Sequence, residues 1–322
     1  MRRFFGALVA LALAFGALPS LAQPYPSKPI RIVVPFPAGG VADVYSRILG
    51  ARLTEAWGQP VVVENRTGAG GNIGAEAVAK SAPDGHTLVM GSVGTHAVNV
   101  SLFARLPYDP VNDFAPIALV AETDALLVVH PSVPARTVVE LIALARSKPG
   151  ALSYASAGPG TASHLAGELF KSMAKVDMLH IPYKGNSPAI TDLLAGQTAL
   201  LFATMPTVLP QAKAGKLRAL ATCGVVRAAA TPELPTVAEA ALPGFDVTNW
   251  VGLFAPAGTP PDIVARLNAE VLRTMQSPEM QSRLAGEGAR FVATTPAQFG
   301  AYVKAEIAKW APVVKLSGAR AD

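Results

Sequence analysis

From Ile30 onward the chain alternates short apolar runs with longer segments in which apolar residues return every three or four positions. The runs at 30–34, 61–65 and 86–90 have strand length, and the first two are rich in Val and Ile. Residues 41–57 place Val44, Ile48, Leu49, Leu53 and Ala56 on one helical face, and 73–80 form a second helix. A later block repeats the alternation, with strands at 152–157, 178–183, 199–203 and 217–223 and helices at 137–148, 162–174, 187–195 and 208–214. Strands alternating with helices predict right-handed βαβ units on parallel sheets.

Two segments connect the blocks. Residues 117–129 read as a long strand with a polar break at Glu122-Thr123-Asp124, and 245–255, with Trp250 in its middle, as the return crossing. A helix starting behind Thr259 as its cap, a short strand at 291–293 and a final helix from Pro296 to about Val314 complete the chain. The predicted architecture is two doubly wound α/β lobes joined by two crossing strands. Lobe one comprises 23–122 plus 247–322, and lobe two 123–246. In such a fold a ligand sits at the carboxyl ends of the strands, between the lobes.

The chemistry concentrates in the loops that follow strands. Phe36-Pro37-Ala38-Gly39-Gly40 breaks the chain between a strand and a helix. Its glycines let a ligand approach the backbone, and the helix behind it offers unpaired amides and the positive end of its dipole. Such a place holds a carboxylate without an arginine. Loops at 68–72 (ending in Asn72) and 158–161 (Gly158 to Thr161) share the design, and 91–95 is read as a fourth, weaker glycine turn. Ser92, Thr95, Ser156 and Thr161 add hydroxyls, and Phe36 an apolar wall. Asp43 reads as bracing the first loop, Asp192 as bracing or meeting an amino group, and His164 as a neutral hydrogen-bonding residue.

Composition narrows the function classes. Of 322 residues, 51% are hydrophobic and 15% charged, which excludes disorder. The net charge of +5 is scattered without a basic run, so nucleic acid is not a partner. Arg2-Arg3, the apolar stretch 4–18 and the small residues ending at Ala22 form a secretory signal peptide over 1–22. A soluble periplasmic monomer is expected. The single cysteine, Cys223, sits in an apolar run and reads as a buried hydrophobe. The five histidines have no metal-ligand spacing, the glycine loops miss both the Walker and the dinucleotide patterns, and Ser156 is not in a G-x-S-x-G elbow. No catalysis, metal or cofactor is expected.

Several motifs together resemble the Bug (TctC) family of periplasmic solute-binding proteins of tripartite tricarboxylate transport systems. They are the stretch from Val33 to Asp43, Val63-Glu64-Asn65-Arg66-Thr67-Gly68-Ala69-Gly70-Gly71-Asn72, Pro83-Asp84-Gly85-His86-Thr87, Ser156-Ala157-Gly158-Pro159-Gly160-Thr161 with His164, Pro182-Tyr183-Lys184-Gly185, Pro235-Thr236-Val237 and Ala255-Pro256-Ala257-Gly258-Thr259-Pro260. The resemblance implies a Venus-flytrap fold of type II character that closes on a carboxylated solute. It implies backbone and water-bridged recognition by Phe36–Gly40, help from Ser156, Gly158 and Thr161, and a contribution around Thr204. It further implies membrane permease subunits as partners; the alternative is a ligand-sensing adaptor whose closed form is read by a sensor kinase ectodomain. The segment Cys223-Gly224-Val225-Val226-Arg227 is more apolar than the family pattern.

Overall fold

The structure is a computed structural model that describes residues 25–321, so the expected leader lies outside the described residues. Strand β1 (Ile30–Val34) buries every side chain except Arg31. Helix α1 (Val41–Trp57) starts at Gly40 and stops at Gly58, whose φ of +70° turns its amide back onto the Thr54 carbonyl. Then come β2 (Val61–Asn65), a tight turn at Ala69–Gly71, α2 (Asn72–Ala79) and β3 (Thr87–Ser92). A wide turn at Gly94–Val98 and short α3 (Asn99–Leu102) precede β4, which runs sixteen residues, Phe114–Val129.

Thr137 caps α4 (Val138–Ser147) by accepting the Glu140 amide. The chain continues through β5 (Ser153–Ser156), α5 (Ala162–Ala174), β6 (Leu179–Pro182), α6 (Asn186–Leu194), β7 (Leu200–Thr204), α7 (Met205–Lys213), β8 (Arg218–Thr222) and short α8 (Val237–Ala240). It returns along β9 (Thr248–Pro256). It ends with α9 (Pro261–Met275), α10 (Pro278–Gly286), β10 (Ala289–Arg290) and α11 (Pro296–Ser317), the last opened by a Thr295/Gln298 capping box.

The strand order is β2-β1-β3-β9-β4-β7-β5-β6, with β8 and β10 also pairing with β4. Neighbours β2, β1 and β3 are parallel, as are β6, β5 and β7, whereas β9 and β4 are antiparallel to each other. From Phe114 to Asp124, β4 pairs with β9; from Ala125 to Val129 it pairs with β7 and β8. One strand therefore serves both lobes, and the fold is the expected pair of α/β lobes. A continuous core holds Val89, Phe254 and Trp310 from one side together with Phe170, Phe202 and Phe245 from the other.

Four local expectations need correction. The polar triplet Glu122-Thr123-Asp124 does not interrupt β4. Its carboxylates are buried but compensated, because Arg290 reaches Glu122 at 2.7 Å and Asp124 at 2.8 Å and the Tyr302 hydroxyl donates to Glu122. Gly91 is not in a turn. It lies inside β3 opposite Gly252, and a Cβ there would come within 2.5 Å of the His96 ring, which stacks on Phe254. The short strand is Ala289–Arg290, not 291–293, since Arg290 is the residue tied to β4. Thr259 does not cap α9; its hydroxyl donates to the Pro256 carbonyl, and Pro260 takes the cap position.

Candidate functional site

The first loop leaves β1 and enters α1. Asn65 donates to the Phe36 carbonyl at 3.0 Å, and the Asp43 carboxylate accepts the Gly39 amide at 2.9 Å. Asn65 and Arg47 hold Asp43 in turn. The Arg47 hydrogen bond is the main reason that the Asp43 carboxyl is drawn down to about 2. The bracing expected of Asp43 is what the geometry displays. Gly39 takes φ +85°, Gly40 opens α1 with no side-chain cap, and Pro37, Ala38, Gly39 and Gly40 are all exposed. The first amides of the helix thus have no side-chain cap. Phe36 is half-buried; its ring lies 3.3 Å from where a Cβ on Gly71 would stand.

The other first-lobe residues lie behind this loop. Asn72 is buried, and its Oδ1 accepts from Asn99 at 2.7 Å and from the Tyr108 hydroxyl at 2.9 Å. Ser92 and Thr95 are buried and hold each other: the Ser92 amide donates to Thr95 Oγ1, and the Thr95 amide to Ser92 Oγ. Thr95 Oγ1 also meets His96 Nδ1 at 2.9 Å. Burial pushes the His96 imidazole down to about 3, so it packs as a neutral ring. These side chains tie the turns that support Phe36 and Gly71.

In the second lobe the loop after β5 satisfies itself. The Gly158 amide donates to Ser156 Oγ at 3.1 Å, and Ser156 Oγ lies 2.6 Å from His180 Nε2. The Gly160 amide donates to His164 Nδ1 at 3.0 Å, and the Ala157 amide to Ser163 Oγ at 2.9 Å. The His164 and His180 rings stack with centroids 4.1 Å apart. Burial pushes both below the ordinary histidine value, His164 to about 4. Asp192 accepts the Tyr183 hydroxyl at 2.8 Å, which braces the segment entering α6; burial and then that carboxylate push the Tyr183 phenol up to about 12.

With the loop amides occupied, the open donors of this lobe include the first amides of α5, which, like α6 and α7, has no side-chain cap. They border a cavity of about 250 Å³ lined by Thr161, Ala162, Ser163 and Thr204, by Asn186 and Phe202, and by Ala125, Val247 and Asn249 on or beside the crossing strands. Its lining carries no charged side chain. Of the expected residues, Ala38, Gly39 and Gly40 are exposed with the half-buried Phe36 beside them, and Thr161 and Thr204 meet in this cavity. Ser156 and Gly158 stand behind it, and Asp192 is not part of the lining. Leu102 of the first lobe touches the second-lobe loop, 2.6 Å from where a Cβ on Gly160 would be. Sequence reasoning missed Asn186 and Asn249. Asn249 had a signal, a polar residue inside an apolar crossing strand.

The family profile described as "Tripartite tricarboxylate transporter family receptor" (TctC) matches residues 45–319. Protein BugT of Bordetella pertussis is 40% identical over 313 residues, 97% of this chain and 96% of BugT. Among solved structures, Rpa4515 of R. palustris with adipate is 38% identical with a TM-score of 0.80, covering 91% of this chain and 98% of that one. MatC of Rhodopseudomonas palustris with bound malate is also 38% identical, with a TM-score of 0.76, covering 90% of this chain and 100% of that one.

Proposed function

This chain belongs to the TctC family of periplasmic solute receptors, and we propose that it captures a small carboxylated solute between its lobes and delivers it to a tripartite tricarboxylate transporter. The observation that carries this reading is that each lobe sets an uncapped helix N-terminus behind a glycine loop, at Gly40 in the first and at Thr161 in the second. Backbone amides and the helix dipole at such ends favour anions. The uncharged second-lobe lining supports recognition by main-chain groups over recognition by a cation. The cavity is smaller than the roughly 300–1,000 Å³ that drug-sized ligands occupy, which suits a short acid.

A solute with a carboxylate at either end would bridge the two helix ends, and a ligand that binds both lobes stabilises the closed state over the open one. The adipate and malate bound to the two relatives are diacids, which favours this class for the present chain. The division into 23–122 plus 247–322 and 123–246 is supported by the change of partner on β4 at Asp124 and Ala125. Export through the leader at 1–22 and a binding role without turnover belong to the same reading. Among the described residues no helix is long and apolar enough to cross a membrane.

The test is a thermal-shift and calorimetric screen of mono-, di- and tricarboxylates, sugars and amines on the mature protein. Receptor function predicts saturable stabilisation by acids alone, about 2.7 kcal/mol at a hundredfold excess over Kd, with the acid recovered unchanged. Stabilisation by sugars or amines, or by nothing, would reject it.

A further inference from the structure

Two of the three hydroxyls that line the second-lobe cavity, those of Thr161 and Ser163, have spent their protons inside the protein. Thr161 Oγ1 donates to the Gly158 carbonyl at 2.6 Å. Ser163 Oγ accepts the Ala157 amide at 2.9 Å and lies 3.1 Å from Thr161 Oγ1. A hydroxyl carries one proton and two lone pairs. Thr161 has already given its proton, so the contact between the two is Ser163 donating to Thr161. Each oxygen is left with one lone pair, and neither has a donor for a bound solute. Both residues line the cavity.

The amides that open α5 stand on the same wall, uncapped, with the positive end of the helix dipole behind them. Amide donors beside acceptor-only hydroxyls match an anion that carries its own hydrogen-bond donor next to its carboxylate. A hydroxyl and an ammonium are the two simple candidates. The lining holds no Asp or Glu to compensate a cation, and the helix end repels one. That leaves the hydroxyl. Asn186, Asn249 and Thr204 complete the lining, with no side-chain hydrogen-bond partner for any of the three among the described residues.

We propose that the second-lobe cavity selects 2-hydroxy diacids over their unsubstituted and 2-amino counterparts, with Thr161 as the residue that reads the hydroxyl. This rests on the receptor reading above and narrows its solute class. Succinate, malate and aspartate share one carbon skeleton and differ only at C2; glutarate, 2-hydroxyglutarate and glutamate extend the series by one carbon. Calorimetric titration is expected to place malate or 2-hydroxyglutarate about tenfold tighter than the unsubstituted acid, the scale of one or two hydrogen bonds, with the amino acid weakest. Thr161→Val should bring the hydroxy-to-plain ratio to about one by losing affinity for the hydroxy acid, and Thr161→Ser should keep it. The wild-type ranking decides the solute class even if Thr161→Val proves unstable. Equal affinity for plain and hydroxy acids, tightest binding of the amino acid, or a preference that survives Thr161→Val overturns the proposal while the receptor reading stands. Binding of no member of either series overturns the proposal, and the receptor reading falls with it only if the wider screen of carboxylates is negative too.

Discussion

Gly39 and Gly40 stand side by side but have different roles. Gly39 sits at φ +85°, where an L side chain is strained, so Gly39→Ala should cost about 1–2 kcal/mol in urea unfolding. Gly40 has φ −79°, and a Cβ there would have only the Pro37 carbonyl nearby, at 3.7 Å. Gly40→Val should therefore leave the urea midpoint unchanged while lowering diacid affinity by at least about tenfold, because its side chain stands among the amides of the first loop. Histidine supplies a second prediction. His96 and His164 are held neutral in the fold, down to about 3 and about 4. The unfolded chain binds those protons near the ordinary histidine value, so stability falls as pH drops from about 6.5 towards 4. The loss is up to about 1.4 kcal/mol per pH unit per histidine. Urea curves at pH 7 and pH 5 check both sign and size; a pH 5 midpoint equal to that at pH 7 would contradict the burial argument.

Among the elements, the well-marked ones were legible in the sequence. The bounds of α1 and α5 coincide with the expected helices, because Gly40 and Gly58 bracket the first and a clear apolar stripe spans the second. Helix α10 escaped, since only Met280 and Leu284 are buried along it and they make no stripe to recognise. The polar triplet in β4 misled for a physical reason: its compensating cation, Arg290, comes from 166 residues further along the chain in its bond to Asp124. The glycine loops were legible as candidate ligand loops, whereas the cavity wall was not, because Asn186 and Asn249 meet only once α6 and β9 are folded together. The Arg290 cluster is itself testable. Arg290→Met strands two buried carboxylates and should destabilise by about 3–5 kcal/mol in urea unfolding; a loss under about 1 kcal/mol would mean that Glu122 and Asp124 find water instead.

For the molecule as a whole, closure is the functional motion expected. A diacid that bridges both helix ends should contract the protein in solution scattering, and Gly40→Val should not contract at the same acid concentration. Motion of this kind has to be absorbed by β4 and β9, the two strands that connect the lobes, with Leu102 against the Gly160 loop as one contact between them.

Because β4 pairs with β9 and, at Glu122 and Thr123, with β10 in the first lobe and with β7 and β8 in the second, opening either lobe alone leaves the other half of the strand paired. Deuterium should therefore enter β4 last, at the rate of global unfolding, and chemical denaturation should give one transition with coincident tryptophan and circular-dichroism curves.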